Sequence, residues 1–204
     1  MLPRLYAIVD AAWLSSRPLT DVVDSLLNAG VRWIQYRDKS NGSRELYEAS
    51  VDISGLIRRT GGTLIVDDRA DVALAAQADG VHLGQDDLPA SMARQLLPSK
   101  IIGLSTHSVE QVRQANRVPI DYIAFGPVFR THSKENPDPV VGLTALAEAR
   151  KATRKPLVAI GGITLENAAA AILSGADSVA VIGALMSAPD VGARAREFVA
   201  ALDE

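Results

Sequence analysis

The sequence predicts a single α/β domain, a parallel sheet closed as a (β/α)8 barrel. Three observations predict it. Eight short apolar runs, at residues 5–9, 33–34, 64–66, 81–83, 101–104, 122–125, 157–160 and 179–182, alternate with stretches of helical periodicity. A weak repeat joins helix ends to the even-numbered runs: Ala29-Gly30-Val31, Ala78-Asp79-Gly80-Val81 and Gly175-Ala176-Asp177-Ser178-Val179, with Ile120-Asp121-Tyr122 in the same place without the glycine. Each run is followed by glycines or by residues that hold charge. Strands alternating with helices imply right-handed crossovers, and eight units of about 25 residues can close into a barrel. The alternative, an open doubly wound sheet, would gather its polar strand ends at one switch point. Here they are spread over all eight units.

Each element has its own signal. The first run ends at Asp10. Leu19, Val22, Val23, Leu26 and Leu27 form an amphipathic stripe, with Thr20 as the expected N-cap and Gly30 as the expected C-cap. The second run leads into Gln35-Tyr36-Arg37-Asp38-Lys39, followed by a helix over 45–59. The third ends in Asp67-Asp68 before a helix over 71–77, and the fourth in Gly84-Gln85-Asp86-Asp87 before a helix over 91–97. Ser105-Thr106-His107 closes the fifth, and Ser108-Val109-Glu110-Gln111 has the form of a capping box. The sixth meets Gly126-Pro127 and a long loop before a helix over 143–152. Gly161-Gly162 follows the seventh, with Thr164 capping a helix over 165–173 that Gly175 stops. Gly183 follows the eighth, and a last helix covers 191–202.

Bulk composition narrows the function classes. The 204 residues suit one domain, 1–204, able to bury about 70% of its unfolded surface without a disulfide or metal staple. With no cysteine there is no thiolate nucleophile and no Cys-based zinc site, which fits a reducing cytoplasm. A net charge of −3 with mixed signs lacks the basic face a nucleic-acid partner needs. The apolar runs fall far short of the roughly 20 residues that span a bilayer, so no membrane is expected. Oligomeric state stays open, a homo-oligomer included.

If the runs are parallel strands, their polar ends share one rim. The glycines after strands seven and eight, Gly161-Gly162 and Gly183, stand where barrels commonly bind phosphate through backbone N–H groups. A Cβ there would hold the phosphate off the backbone. Gln35, Arg37 and Lys39 alternate with Tyr36 and Asp38, so the first three share a face. Arg37 offers a fork and Lys39 a point charge for phosphate oxygens. Asp67-Asp68 and Asp86-Asp87 follow adjacent strands, and carboxylates without His or Cys suit Mg²⁺. The segment from Gly126 through Thr131, His132, Ser133 and Lys134 to Gly142 reads as an anion-binding lid, residues 129–141 closing over the site. His82 lies within an apolar run, as a satisfied core histidine would. The residues alone imply two anionic groups, one on the glycines and one on metal, Arg37, Lys39 and Lys134.

As a set, these motifs resemble the thiamine phosphate synthase family, which also contains the thiazole tautomerases. The resemblance rests on 35–39, Asp67-Asp68-Arg69, 80–87, 103–107, 126–134, 159–163 and 175–181, and covers nearly the whole chain. It implies a triose-phosphate-isomerase-type (TIM) barrel. It also implies a transferase of thiamine biosynthesis that joins 4-amino-2-methyl-5-hydroxymethylpyrimidine diphosphate to thiazole phosphate and releases diphosphate, with Mg²⁺ required. By position, the resemblance assigns the pyrimidine diphosphate to Gln35, Arg37 and Lys39, its diphosphate also to Lys134, and the pyrimidine ring to Ser105, with Tyr36, Asp38 and Asp67 also among the substrate-binding positions. It assigns Mg²⁺ to Asp68 and Asp87, and the thiazole phosphate to Thr131, Ser133, Gly162, Ile182 and Gly183, with His132 also among the substrate-binding positions. Arg37, Lys39 and Lys134 would be the catalytic cations.

The chain departs from the family pattern at Asp67, where Asn is usual, and at Tyr36, Arg130, Ser133 and Gly183, where Leu, Pro, Thr and Ser are common. The tautomerase branch lacks the metal carboxylates and has His at the place of Pro127. A phosphosugar isomerase would leave Asp68, Asp87 and Lys134 unexplained. A non-catalytic binding module would not need all of these charges.

Overall fold

The computed structural model describes residues 2–131 and 138–203. Eight parallel strands close into a barrel in chain order: β1 (Leu5–Asp10), β2 (Trp33–Arg37), β3 (Thr63–Asp67), β4 (Gly80–Leu83), β5 (Ile101–Thr106), β6 (Tyr122–Phe125), β7 (Leu157–Ile160) and β8 (Ser178–Val181). Closure comes from β1 pairing β8 with Leu5 opposite Val179. The helices are α1 (Leu19–Asn28), α2 (Ser43–Thr60), α3 (Ala70–Ala75), α4 (Ala90–Leu96), α5 (Val109–Ala115), α6 (Gly142–Ala152), α7 (Leu165–Leu173), α8 (Gly183–Met186) and α9 (Val191–Asp203). The closed sheet excludes the open doubly wound alternative.

Strand alternation divides the core in two. In β1, Leu5, Ala7 and Val9 face outward to the helices, while Tyr6 and Ile8 face the lumen. The lumen is packed with Tyr6, Ile8, Ile65, Tyr122, Ala124, Val158 and Ala180. Tyr6, Trp33 and Tyr122 meet edge to face with centroids 5.5–6.0 Å apart, and burying each ring contributes about 2 kcal/mol or more. Gly103 makes room for them, because a Cβ there would lie 2.1 Å from Tyr122 Cζ.

The helix-to-strand repeat acquires a physical meaning. The carboxylates of Asp79, Asp121 and Asp177 accept the N–H groups of Leu64, Ile102 and Leu157 at 2.7–2.8 Å. Each therefore staples an even strand to the start of the odd strand before it, at the face remote from the chemistry. Arg94 on α4 reaches Asp121 at 2.6 Å, and Arg150 on α6 reaches Asp177 at 2.8 Å. These Arg–Asp pairs are the same device used twice.

Three cap expectations change: the C-cap of α1 is Ala29, with Gly30 the left-handed residue just beyond it at φ +95°. Thr20 lies inside the first turn of α1, and Pro18 is the N-cap, its carbonyl accepting the Val22 N–H at 3.2 Å. Proline's fixed φ leads the chain into the helix one step earlier. Ser108 does accept the Gln111 N–H at 3.2 Å, but the Gln111 side chain reaches past it to the His107 N–H at 2.6 Å. A 3-10 turn, Ala11–Trp13, and the four-residue α8 are additions, both too short to show a period in the sequence.

Candidate active site

Parallel strands all end on one rim, and of the predicted residues Asp38, Lys39, Asp67, Asp68, Asp87, Ser105, Thr131, Gly162, Ile182 and Gly183 line two places there. The first is an open groove of roughly 570 Å³ lined by Asp38, Lys39, Asp67, Asp68 and Asp87 among others. Arg37 ends β2 beside it, paired with Asp10 at the end of β1 and with its Nε 3.5 Å from Asp67. Lys39 pairs with Asp68 and lies 3.9 Å from Asp67. Asp68 adopts φ 58°, a left-handed conformation that Asp tolerates better than most residues. Its N–H donates to the His82 carbonyl at 2.7 Å, tying this turn to β4. Asp87 is held by the Gly84 N–H at 2.6 Å.

Asp67 therefore faces both cations rather than bare solvent. Its carboxylate reduces the positive field that Arg37 and Lys39 offer an anion, which gives the Asp67 departure a defined electrostatic consequence. Asp38 serves the loop. It accepts from Tyr36 Oη, Ser40, and the backbone and side chain of Asn41 at 2.8–3.1 Å. Burial opposes its ionisation, yet these bonds, those from Asn41 foremost, hold its carboxyl below the usual range. Tyr36 packs between sheet and helices, where burial and the Asp38 carboxylate push its hydroxyl pKa up.

Asp68 and Asp87 share the groove and supply hard oxygen donors, so the residues present fit Mg²⁺. Among the described residues no cluster of three or more His, Asp or Glu could hold a metal by itself. Such an ion would draw its other ligands from phosphate and water.

The second place is a cavity of roughly 290 Å³ lined by Ser105, Thr131, Gly162, Ile182 and Gly183, with Trp13 and His107 as additions. Gly161 and Gly162 have φ +95° and +64°. A Cβ on Gly161 would lie 2.3 Å from Pro127 Cβ, and one on Gly162 would lie 2.3 Å from the Arg130 carbonyl. Close packing of the β6 and β7 loops is therefore a reason for glycine here that the sequence did not reveal. Phe129 N–H donates to the Gly161 carbonyl at 3.0 Å, fastening the two loops. His107 Nδ1 lies 2.7 Å from the Gly126 carbonyl.

Gln35 takes a different place from its neighbours. It is buried in the lumen, its Nε2 donating to Tyr6 Oη at 2.9 Å. Tyr6 Oη meets Tyr122 Oη at 2.9 Å, His82 Nδ1 meets Tyr122 Oη at 2.9 Å, and His82 Nε2 meets Ser105 Oγ at 2.8 Å. His82 is thus a satisfied core histidine, as its apolar run suggested. Its contact with Ser105 had no sequence signal, because the two lie on different strands. Asp10 and His107 were expected at strand ends, but their contacts with Arg37 and the Gly126 carbonyl had no sequence signal, and Trp13 lies in a 3-10 turn too short to show a period. His132, Ser133 and Lys134 lie outside the described residues, as does the 132–137 part of the expected lid.

A barrel with paired cations, carboxylates and a glycine-lined cavity on one rim defines a phosphate-handling (β/α)8 enzyme. The chain belongs to the thiamine monophosphate synthase family, which matches residues 5–185. It is 48% identical over 203 residues to the thiamine-phosphate synthase of Koribacter versatilis, covering 97% of this chain and 95% of that one. The thiamine-phosphate synthase of Chloroflexus aurantiacus is 42% identical, with coverages of 96% and 90%. A solved thiamine phosphate pyrophosphorylase from Pyrococcus furiosus superposes with a TM-score of 0.89 at 37% identity, covering 98% of this chain and 95% of that one. Among the described residues, no helix is long and apolar enough to cross a membrane.

Proposed function

We propose that the protein joins 4-amino-2-methyl-5-hydroxymethylpyrimidine diphosphate to thiazole phosphate, giving thiamine phosphate and diphosphate. The carrying observation is the divided rim. A cation-and-carboxylate groove and a glycine-lined cavity, the latter also lined by Ser105, open on the same rim.

The reaction breaks the bond from the pyrimidine methylene to the diphosphate oxygen, which leaves with the electron pair. The thiazole nitrogen then donates its lone pair to the methylene cation. No side chain need act as nucleophile. Arg37 and Lys39 offset the charge that develops on the leaving oxygen, each well-placed donor contributing roughly 3 kcal/mol. Mg²⁺, when bound by Asp68 and Asp87, supplies Lewis-acid stabilisation of the diphosphate. Asp10 holds Arg37, and Ser105 orients the pyrimidine. Gly162, Ile182 and Gly183 cradle the thiazole phosphate, and Thr131, His132 and Ser133 add side-chain contacts. Lys134 completes the cation set when residues 129–141 close and exclude water. The absence of cysteine and the small polar substrates suit a cytoplasmic enzyme.

The carboxylates Asp68 and Asp87 beside Lys39 favour this reading over the tautomerase, which needs no metal groove. Incubation of purified protein with both substrates and Mg²⁺ should release diphosphate and form thiamine phosphate. Absence of product under those conditions overturns the proposal.

A further inference from the structure

We propose that Tyr6, Tyr122 and His82 are positioning residues that set the hydrogen-bond polarity of Ser105, leaving its hydroxyl to donate to a ring nitrogen of the substrate. The inference rests on the pyrimidine reading of the site above.

The argument follows the protons along the lumen. Gln35 Nε2 can only donate, and it lies 2.9 Å from Tyr6 Oη. Tyr6 therefore accepts from Gln35 and has one proton to give, which goes to Tyr122 Oη at 2.9 Å. Tyr122 in turn gives its proton to His82 Nδ1 at 2.9 Å. A neutral imidazole that accepts at Nδ1 carries its hydrogen on Nε2, so His82 donates to Ser105 Oγ at 2.8 Å. Ser105 then receives a bond from within the barrel, and its own proton is left to face the cavity that it lines. A hydroxyl so arranged matches an acceptor such as a pyrimidine ring nitrogen, rather than an amino group. Burial raises the pKa of both tyrosines and keeps their protons in place, as the relay requires. His82 also stacks on Tyr122 with centroids 5.5 Å apart, which fixes the ring plane.

Two measurements test this. Nitrogen-15 spectra of the labelled protein, assigned with His82→Gln, should show His82 as the Nε2–H tautomer near neutral pH. Tyr122→Phe, which keeps the ring, should erase that preference. The Nδ1–H tautomer or an imidazolium would overturn the proposal whether or not the enzyme turns over. Kinetically, Tyr122→Phe should lower kcat/KM for the pyrimidine diphosphate by roughly 3- to 10-fold, with KM for thiazole phosphate unchanged. In a Ser105→Ala background the same change should have no further effect. Losses that multiply would show that Tyr122 acts without Ser105 and would overturn the proposal. Absent turnover with the expected tautomer would count against the proposed reaction instead.

Discussion

Asp10, at the end of β1, holds Arg37, at the end of β2, in an ion pair whose carboxylate side chain is 2% exposed. The other carboxylate oxygen accepts the Ala12 N–H at 3.0 Å, so Asp10 is fixed at both ends. Arg37 is thereby aimed at the groove before any anion arrives. Preorganised charge of this kind costs no reorganisation at the moment of reaction.

Removal of that anchor should be felt twice. Asp10→Ala leaves Arg37 with Asp67 at 3.5 Å as its counter-ion and should lower stability by about 2 kcal/mol in urea denaturation. It should also raise KM for the pyrimidine diphosphate. Asp10→Asn, whose single side-chain oxygen can still accept the Ala12 N–H but turns an NH2 donor toward Arg37, should recover only part of the stability. Equal loss in both variants would show that the bond to the Ala12 N–H adds nothing and that the Arg37 pair carries the whole contribution.

Asp67→Asn should strengthen anion binding. Asp67 lies 3.5 Å from Arg37 and 3.9 Å from Lys39 and offsets part of their charge. Removing one negative charge near a bound diphosphate is worth about 1 kcal/mol at partly exposed sites, or roughly a fivefold change in affinity. Inhibition by inorganic diphosphate with Mg²⁺ present would measure it. Weaker inhibition in the variant would mean that Asp67 itself helps to hold the cation.

Two glycines with similar backbone angles should behave differently. Gly161→Ala meets both a positive φ of +95° and Pro127 at 2.3 Å, and should cost about 3 kcal/mol or more. Gly142→Ala has φ +77° but open space around its Cβ, and should cost about 1 kcal/mol. Thermal unfolding should place the first about 10 °C and the second about 3 °C below the parent protein.

The remote face should affect stability alone. Asp177→Ala leaves the Leu157 N–H without its carboxylate and Arg150 without its ion pair, a loss of about 2 kcal/mol. Turnover per folded molecule should match the parent. A fall in kcat at full folding would link the remote face to the rim.

Most of the rim was legible because strand periodicity places alternate residues on one face and strand ends on one side of a parallel sheet. Arg37, Asp67, Asp68 and Asp87 could be assigned to the rim from order along the chain, whereas Gln35 lies buried in the lumen. What could not be read was which of them touch. Arg37 and Asp10 are 27 residues apart, and His82 and Ser105 are 23 apart. No spacing rule joins them, because barrel closure and register decide their meeting.

Local chemistry in the sequence therefore determined the eight strands, their helices, the polar rim and the family resemblance. Hydrophobic periodicity and turn residues act within a few positions of one another, and so survive in a linear reading. Tertiary structure alone decided that Asp67 offsets part of the charge of two cations and that Gly161 clears Pro127. It also decided that a chain of hydrogen bonds crosses the lumen from Gln35 to Ser105. Those outcomes depend on Å-scale distances between strands distant in sequence, which are set only when β8 pairs with β1 and the barrel closes.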